Sequence, residues 1–211
     1  MPRPKRSPFY DAERHLSAAD ATMRELIAVH GTCRLTPNDD AFTVLCDSII
    51  SQQLSVKASA TILRRFCALF PDDAPTPELV LSCDDERLRS VGCSNAKVRY
   101  IKDLARHFAE GLLRPDEFPT MDDDALIRTL TSVKGIGRWT AEMYCIFALN
   151  RLDILATDDL GLRKAIKNLY GFPELPTAKE TLETGEKWRT FRSVASWYLW
   201  RSLVNAPKTK E

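Results

Sequence analysis

The chain has 211 residues, of which 44% are hydrophobic and 28% charged, and its formal net charge is +1. These values are typical of a globular protein, and no apolar run approaches the ~20 residues of a membrane-spanning helix. The basic N-terminal segment MPRPKRSPFYD lacks the apolar core of a secretory signal, so we expect an intracellular protein. The nearly neutral charge neither indicates nor excludes nucleic-acid binding, because phosphate is bound by local patches.

Helical periodicity dominates the sequence, and strand-like alternation is nearly absent. Residues 1–35 are predicted to form a basic arm and a helix that packs with the C-terminal lobe. After them, apolar residues recur at helical spacing between cap and stop signals such as Ser55, Ser94 and Gly111. The predicted helices cover residues 41–51, 55–70, 77–82, 84–91, 94–110, 122–132, 138–149, 158–170, 177–185 and 188–204. We therefore expect an all-α fold with two helical lobes.

The six cysteines are scattered through the chain without any C-x-x-C spacing. In a chain without a secretory signal this pattern predicts reduced thiols, and it gives no indication of a zinc or iron–sulfur site. No metal or organic cofactor is expected.

The segment LTSVKGIGRWTAEMY combines a helix end, a tight G-I-G turn and the start of another helix. Gly135 and Gly137 can adopt positive φ and leave room for a close neighbour. Backbone N–H groups at such a turn, flanked by Lys134 and Arg138, suit the binding of a DNA phosphate. By itself, however, the G-x-G pattern favours a simpler interpretation, a helix corner at which the glycines permit close packing.

About twenty residues later, LDILATDDLGLRKAIK contains the acidic pair Asp158 and Asp159. Alone, this pair would be interpreted as a helix N-cap, because carboxylates stabilise helix N-termini. In combination with the G-I-G turn, the chain resembles the helix-hairpin-helix (HhH-GPD) superfamily of DNA glycosylases from roughly residue 40 to residue 202. The resemblance implies a two-lobed helical enzyme that acts as a monomer on damaged double-stranded DNA, in the nucleoid or the nucleus.

The same resemblance implies roles for individual residues. Asp159 is the expected catalytic carboxylate, with Asp158 as the helix cap and the alternative candidate. Gln53 in SIISQQLSVKAS is expected to fill the gap left by an extruded base, and Gln52 precedes it. The carbonyls of Val133 and Ile136 are candidate ligands of a monovalent cation. The expected DNA-binding residues are Gln53, Val133, Lys134, Gly135, Ile136, Gly137, Arg138 and Thr140, and the expected base-pocket residues are Trp139, Trp200, Met143 and Phe42.

Trp139 also indicates a branch of the superfamily. Bifunctional relatives carry a lysine at this position, which attacks the sugar, so tryptophan predicts a monofunctional enzyme without AP lyase activity. The C-terminal RSVASWYLWR is similar to the alkylpurine branch, DNA-3-methyladenine glycosylase II, in a compact form without its N-terminal sheet domain. The branch implies base excision repair of 3-methyladenine and 7-methylguanine type lesions after base flipping. It also implies a central lobe over residues 36–132, a segment 133–211 with the hairpin and the C-terminal helices, and a base pocket between the lobes.

Three alternatives remain open at this point. The same scaffold could act on other damaged or mismatched bases. The chain could also be a non-catalytic DNA-binding protein that retains the hairpin. Finally, it could be a helical protein-interaction module in which the G-I-G turn is only a corner, although this leaves the Gln, Trp and Asp motifs unexplained.

Overall fold

A computed structural model describes residues 7–204, which form helices joined by turns and short loops without any β-strand among them. The predicted all-α fold is confirmed. Of the predicted basic arm MPRPKRSPFYD, residues 1–6 lie outside the described part of the chain, and its last two residues already belong to the first helix. In chain order the α-helices are α1 (Tyr10–Ala19), α2 (Ala21–His30), α3 (Ala41–Ser51), α4 (Val56–Cys67), α5 (Pro77–Ser82), α6 (Asp85–Ser90), α7 (Asn95–Ala109), α8 (Asp123–Thr131), α9 (Arg138–Phe147), α10 (Leu160–Tyr170), α11 (Ala178–Gly185) and α12 (Arg192–Val204).

The helix boundaries follow from local cap chemistry. The hydroxyls of Ser55 and Ser94 accept hydrogen bonds from the third residue of α4 and α7, as predicted for N-caps. Thr177 and Glu180 form a reciprocal capping box at α11. Gly171 ends α10 in the left-handed region, at φ 71°. Local sequence therefore determines where most of these helices begin and end.

Two segments differ from the prediction. The N-terminal region contains two helices instead of one, because Asp20 is extended and its side chain caps α2 through Thr22 N–H. The last predicted helix is divided into a short 3-10 turn, Glu186–Trp188, and α12, which begins at Arg192. None of the helices within residues 7–204 is long and apolar enough to cross a membrane.

The chain divides into two compact units. The first unit combines the two ends of the chain, Met1–Thr36 and Asn150–Glu211, and the second is Pro37–Leu149. The structure thus groups residues 133–149 with the central segment, whereas they were predicted to belong to the C-terminal segment 133–211. The physical reason is packing, because α9 lies against α8 and α3.

The second unit is organised around α7, which packs against α3, α5 and α6. Its buried face includes Val98, Ile101 and Leu104, which are almost completely removed from solvent. At roughly 25 cal/mol per Å² of apolar surface, such burial stabilises the unit by several kcal/mol per cluster of side chains. Other residues of α7 contact two turns of the same unit, the turn after α3 and the turn before α9.

In the first unit, α12 packs against α2 and α10. Leu162, Ile166, Val194 and Leu199 are buried there. This packing places the start of α10 beside the C-terminal half of α12. The beginning of α10 and the end of α12 are therefore positioned by one core.

Candidate active site and nucleic-acid interface

The G-I-G segment forms a tight turn between α8 and α9. We call residues 134–137 the hairpin. The Ile136 N–H donates to the Val133 carbonyl over 3.1 Å, and the side chains of both residues are buried. Gly135 has φ 89°, a value that L side chains rarely adopt. Gly137 is the N-cap of α9. Because the first N–H groups of a helix have no partner within it, this turn provides a place for an anion between the exposed Lys134 and Arg138.

Three contacts from elsewhere in the second unit fix this turn. The buried Asp103 carboxylate accepts a hydrogen bond from the Lys134 backbone N–H at 2.9 Å. The side chain of Gln52 donates to the Gly135 carbonyl at 2.7 Å. A Cβ on Gly135 would clash with the ring of Tyr100. The glycine is therefore required both by its backbone conformation and by a close neighbour.

The two adjacent glutamines have different environments. Gln52 points to the hairpin, as described, whereas Gln53 is exposed and has a left-handed backbone, with φ 58°. Both follow the end of α3, and we call residues 51–54 the Gln turn. The ammonium group of Lys97 donates to the carbonyls of Ile50 and Gln52 at 2.7 and 2.9 Å. Gln52 therefore contacts the hairpin, whereas Gln53, the residue predicted to enter the duplex, is exposed to solvent.

The remaining predicted residues of the second unit have mixed environments. Trp139 is 49% exposed, and Met143 is partly buried. Arg138 forms an ion pair with the buried Glu142 at 2.9 Å. Thr140 and Phe42 are buried, and Phe42 packs edge-on against Phe108. Phe42 and Thr140 therefore contribute to packing, while Trp139 presents part of an indole ring to solvent.

Asp159 lies at the start of α10. Its Oδ1 accepts hydrogen bonds from Leu162 N–H at 2.6 Å and from the Trp200 indole N–H at 2.8 Å. A Cβ on Gly161 would lie 3.2 Å from this oxygen and 3.4 Å from the Trp200 ring, so glycine permits the close approach. The expectation that Asp158 caps the helix was wrong. Asp159 is the N-cap, because α10 begins only at Leu160, and Asp158 is exposed.

The N-terminus of α12 is fixed to the segment that leads to Asp159. The Arg192 guanidinium donates to both carboxylate oxygens of Asp153, at 2.7 and 2.9 Å, and to its carbonyl. Ser193 adds hydrogen bonds to Leu152 and Ile154. A bidentate arginine–carboxylate pair restricts orientation more than a single contact does. The helix that carries Trp200 is thus joined to the chain just before Asp159.

Of the C-terminal aromatic residues, Trp188 and Tyr198 are structural. The Trp188 indole N–H donates to Asp20, and the Tyr198 hydroxyl donates to the Gly31 carbonyl at 2.8 Å. Burial raises the pKa of Tyr198, so its phenol stays protonated. Trp200 is the aromatic residue that contacts the candidate carboxylate.

The sequence did not reveal several residues that shape the turns. Gln52, Lys97, Tyr100 and Asp103 were not predicted to act on the hairpin or the Gln turn. One signal existed, since the pair of glycines predicted a close neighbour at the hairpin. It could not identify that neighbour, because Tyr100 and Asp103 precede the hairpin by more than thirty residues.

The comparison with known families agrees with this geometry. Residues 46–190 match the family described as HhH-GPD superfamily base excision DNA repair protein. The DNA-3-methyladenine glycosylase 1 of Schizosaccharomyces pombe is 36% identical over 94% of this chain and 90% of its own length. The alkylbase DNA glycosidase-like protein mag2 of the same organism is 33% identical over 93% of this chain and 95% of its own length. The chain therefore belongs to the HhH-GPD superfamily, and the resemblance found in the sequence is confirmed.

Solved structures give the same result. The S. pombe 3-methyladenine DNA glycosylase in complex with abasic DNA is similar with a TM-score of 0.85 and 35% identity, over 95% of this chain and 100% of that one. The DNA-3-methyladenine glycosidase of Bacillus halodurans has a TM-score of 0.84 and 35% identity, over 94% of this chain and 90% of its own.

Proposed function

We propose that this protein is a monofunctional DNA glycosylase that removes alkylated purines from double-stranded DNA by hydrolysis of the N-glycosidic bond. One observation carries the proposal. Asp159 is held by the Leu162 N–H and the Trp200 indole in a chain whose relatives are named DNA-3-methyladenine glycosylases. Such an enzyme acts where DNA is kept, in the nucleoid or the nucleus.

The proposed mechanism begins with extrusion of the damaged nucleotide, which costs a few kcal/mol. The hairpin binds backbone phosphates through the N–H groups at the start of α9, with Lys134 and Arg138 beside them. Gln53, which is exposed, fills the vacated space in the duplex. Contacts of this kind do not read sequence, which suits an enzyme that must search all DNA for lesions.

An alkylated purine carries positive charge, and an indole face attracts a cation by ~0.5–2 kcal/mol. Trp139 and Trp200 are the candidate indoles, and Met143 and Phe42 remain predicted pocket residues. The charged base is already a good leaving group, so the bond breaks towards an oxocarbenium-like sugar. We assign Asp159 the stabilisation of that sugar cation. Leu162 and Trp200 hold its carboxylate in one orientation, which avoids reorganisation during the reaction.

The absence of a lysine directly after the G-I-G-R sequence supports the monofunctional assignment. Trp139 follows Arg138 and has no amine that could attack the sugar. Lys134 lies before the turn, and its backbone N–H is bound to Asp103. The product is therefore expected to be an intact strand with an abasic site.

The test measures bases released from methylated duplex DNA by mass spectrometry, with the wild type, Asp159→Asn and Asp158→Asn. We expect release of 3-methyladenine or 7-methylguanine by the wild type, and a loss of about 100-fold or more in Asp159→Asn with DNA binding retained. Asp158→Asn, an equal charge change at the exposed neighbour, is the matched control and should remain active. Strands should break only after alkali. Normal release by Asp159→Asn, or direct nicking, would contradict the proposal.

A further inference from the structure

The two turns assigned to DNA share a supporting helix, α7. Lys97, Tyr100 and Asp103 follow one another at intervals of three residues and therefore form one inclined row on the surface of that helix. Lys97 binds the Gln turn, whereas Tyr100 and Asp103 contact the hairpin. A single rigid element thus contacts both turns.

The position of Lys97 is unfavourable for α7 itself. It is the third residue of the helix, and its own N–H donates to the N-cap Ser94. A cation near a helix N-terminus opposes the helix dipole, so Lys97 weakens the helix that carries it. Its two hydrogen bonds to the last carbonyls of α3 offset this cost, because a cation stabilises a helix C-terminus. The contact with α3 therefore explains why a lysine occupies this position, although a lysine there destabilises the start of α7.

Lys97 acts at the residues next to Gln53. It binds the carbonyl of Gln52, and the side chain of Gln52 in turn donates to the Gly135 carbonyl. Gln53 follows with φ 58°, a conformation that is strained for a non-glycine residue and persists only where neighbours enforce it. We infer that the hydrogen bonds from Lys97 to the Gln52 carbonyl and from the Gln52 side chain to the Gly135 carbonyl hold the backbone of Gln53 in this conformation.

We propose that Lys97 and Gln52 are positioning residues that fix the Gln turn relative to the hairpin. Gln53 then enters the duplex at a fixed position relative to the phosphates that the hairpin binds. The inference rests on the proposed function, because it assigns both turns to DNA. Neither residue contacts the reacting atoms in this scheme. The effect of Lys97 is expected on base extrusion, and not on the affinity for undamaged DNA.

The experiment compares Lys97→Met with Lys102→Met. Lys102 lies on the same helix and forms an ion pair with Asp85, which belongs to neither turn, so its substitution removes the same charge away from both turns. Three quantities are measured. The first is affinity for an undamaged duplex, and the second is the rise in fluorescence of 2-aminopurine placed beside a lesion or an abasic site, which reports extrusion. The third is base release in single turnover.

In Lys97→Met we expect extrusion and base release to fall about 10-fold, as for the loss of charged hydrogen bonds, with affinity for undamaged DNA within about 2-fold of the wild type. Lys97→Arg, which can still donate to two carbonyls, should restore most of the loss. In a Gln53→Ala background, Lys97→Met should add less than about 2-fold, because coupled residues are not additive. Gln52→Met tests the same contact chain if Lys97→Met folds poorly, and it should also be non-additive with Gln53→Ala.

Several outcomes would overturn the inference. They are equal effects of Lys97→Met and Lys102→Met, a loss of affinity for undamaged DNA as large as the loss of extrusion, or multiplicative losses with Gln53→Ala. The fluorescence measurement does not depend on catalysis. If the wild type extrudes a base but releases none, the proposed function fails while the role of Lys97 is still decided.

Discussion

Within residues 7–204, each unit of the protein contains one buried aspartate, and the two serve different partners. Asp20 in the first unit caps α2 with one oxygen, and with the other it accepts hydrogen bonds from the side chains of Trp188 and Tyr170 and pairs with Lys187. Asp103 in the second unit accepts one from the backbone N–H of Lys134, in the hairpin, and one from the side chain of Arg106 on its own helix. Both residues are 6% exposed.

The different partners of Asp20 and Asp103 predict different consequences when each carboxylate is replaced. A carboxylate that satisfies side chains in a core stabilises that core, and its loss leaves buried donors unpaired. A carboxylate that binds a backbone N–H fixes the path of the chain, in this case at the turn assigned to DNA phosphates. We therefore expect changes at Asp20 to appear in the free energy of unfolding, and changes at Asp103 to appear mainly in DNA binding.

The largest effect is expected for Asp20→Asn. The amide has no charge to pair with Lys187, and it keeps only one acceptor oxygen, so either the Thr22 N–H or the group of indole, phenol and ammonium loses its acceptor. We expect the free energy of unfolding near neutral pH to fall by about 2–4 kcal/mol. Chemical denaturation measures this loss, and Asp11→Asn, at an exposed site in the same unit, should change it by less than about 0.5 kcal/mol.

The pH dependence of that loss has a definite sign. Burial opposes ionisation of Asp20, but hydrogen bonds from Trp188, Tyr170 and Lys187 outweigh it and lower the pKa of Asp20 below its ordinary value of 3.8. A folded-state pKa below the unfolded one gives stabilisation that is complete above the unfolded value and lost as pH falls through the folded value. The difference between wild type and Asp20→Asn should be constant from about pH 5 to pH 8 and shrink below about pH 4. A difference that stays constant down to about pH 2 would contradict this assignment.

The next effect concerns the hairpin, where two glycines offer a matched pair. In Gly135→Ala the new Cβ would meet Tyr100, whose own Cβ lies 2.9 Å away, and the backbone would keep φ 89°. We expect a loss of about 2–3 kcal/mol in stability together with weaker DNA binding. Gly137 has ordinary φ, and apart from its neighbours along the chain no heavy atom of the described residues lies within 4 Å of the position that a Cβ would take there. Gly137→Ala should therefore cost less than about 1 kcal/mol.

DNA binding distinguishes the two glycines further. If the hairpin approaches phosphates closely, the methyl group of Gly137→Ala should weaken binding to duplex DNA while thermal stability stays near that of the wild type. Equal losses of stability in the two variants would show that the contact with Tyr100 does not control the turn.

Local sequence predicted the parts that depend on neighbouring residues. The hairpin glycines and the N-caps Ser55 and Ser94 followed from short motifs. The catalytic role of Asp159, which came from the same kind of motif, stays a prediction. The cap assignment failed by one residue, because Asp158 and Asp159 are chemically identical and only the helix start distinguishes them. Periodicity alone could not place the break between Trp188 and α12.

The supports of these motifs could not be predicted, because their partners are distant in sequence. Gln52 and Gly135 are separated by 83 residues, and Asp159 and Trp200 by 41. The residues around a polar side chain in a helix do not indicate which distant group will be its hydrogen-bond partner. Lys97 came nearest to such a sign, since a cation in the first turn of a helix opposes the dipole and favours a tertiary partner.

The smallest expected effect is at Asp103, where two substitutions distinguish hydrogen bonding from charge. Asp103→Ala removes the acceptor for the Lys134 N–H and should lower stability by about 1–2 kcal/mol and duplex affinity by roughly 10-fold. Asp103→Asn keeps an acceptor oxygen but loses the charge that faces Arg106, and affinity should fall by less than about 3-fold. Titration of an undamaged duplex at fixed salt measures both. If the two variants bind DNA equally weakly, the charge of Asp103 controls the hairpin. The contrast with Asp20 then no longer holds, because Asp103 would act through its charge, as Asp20 does towards Lys187.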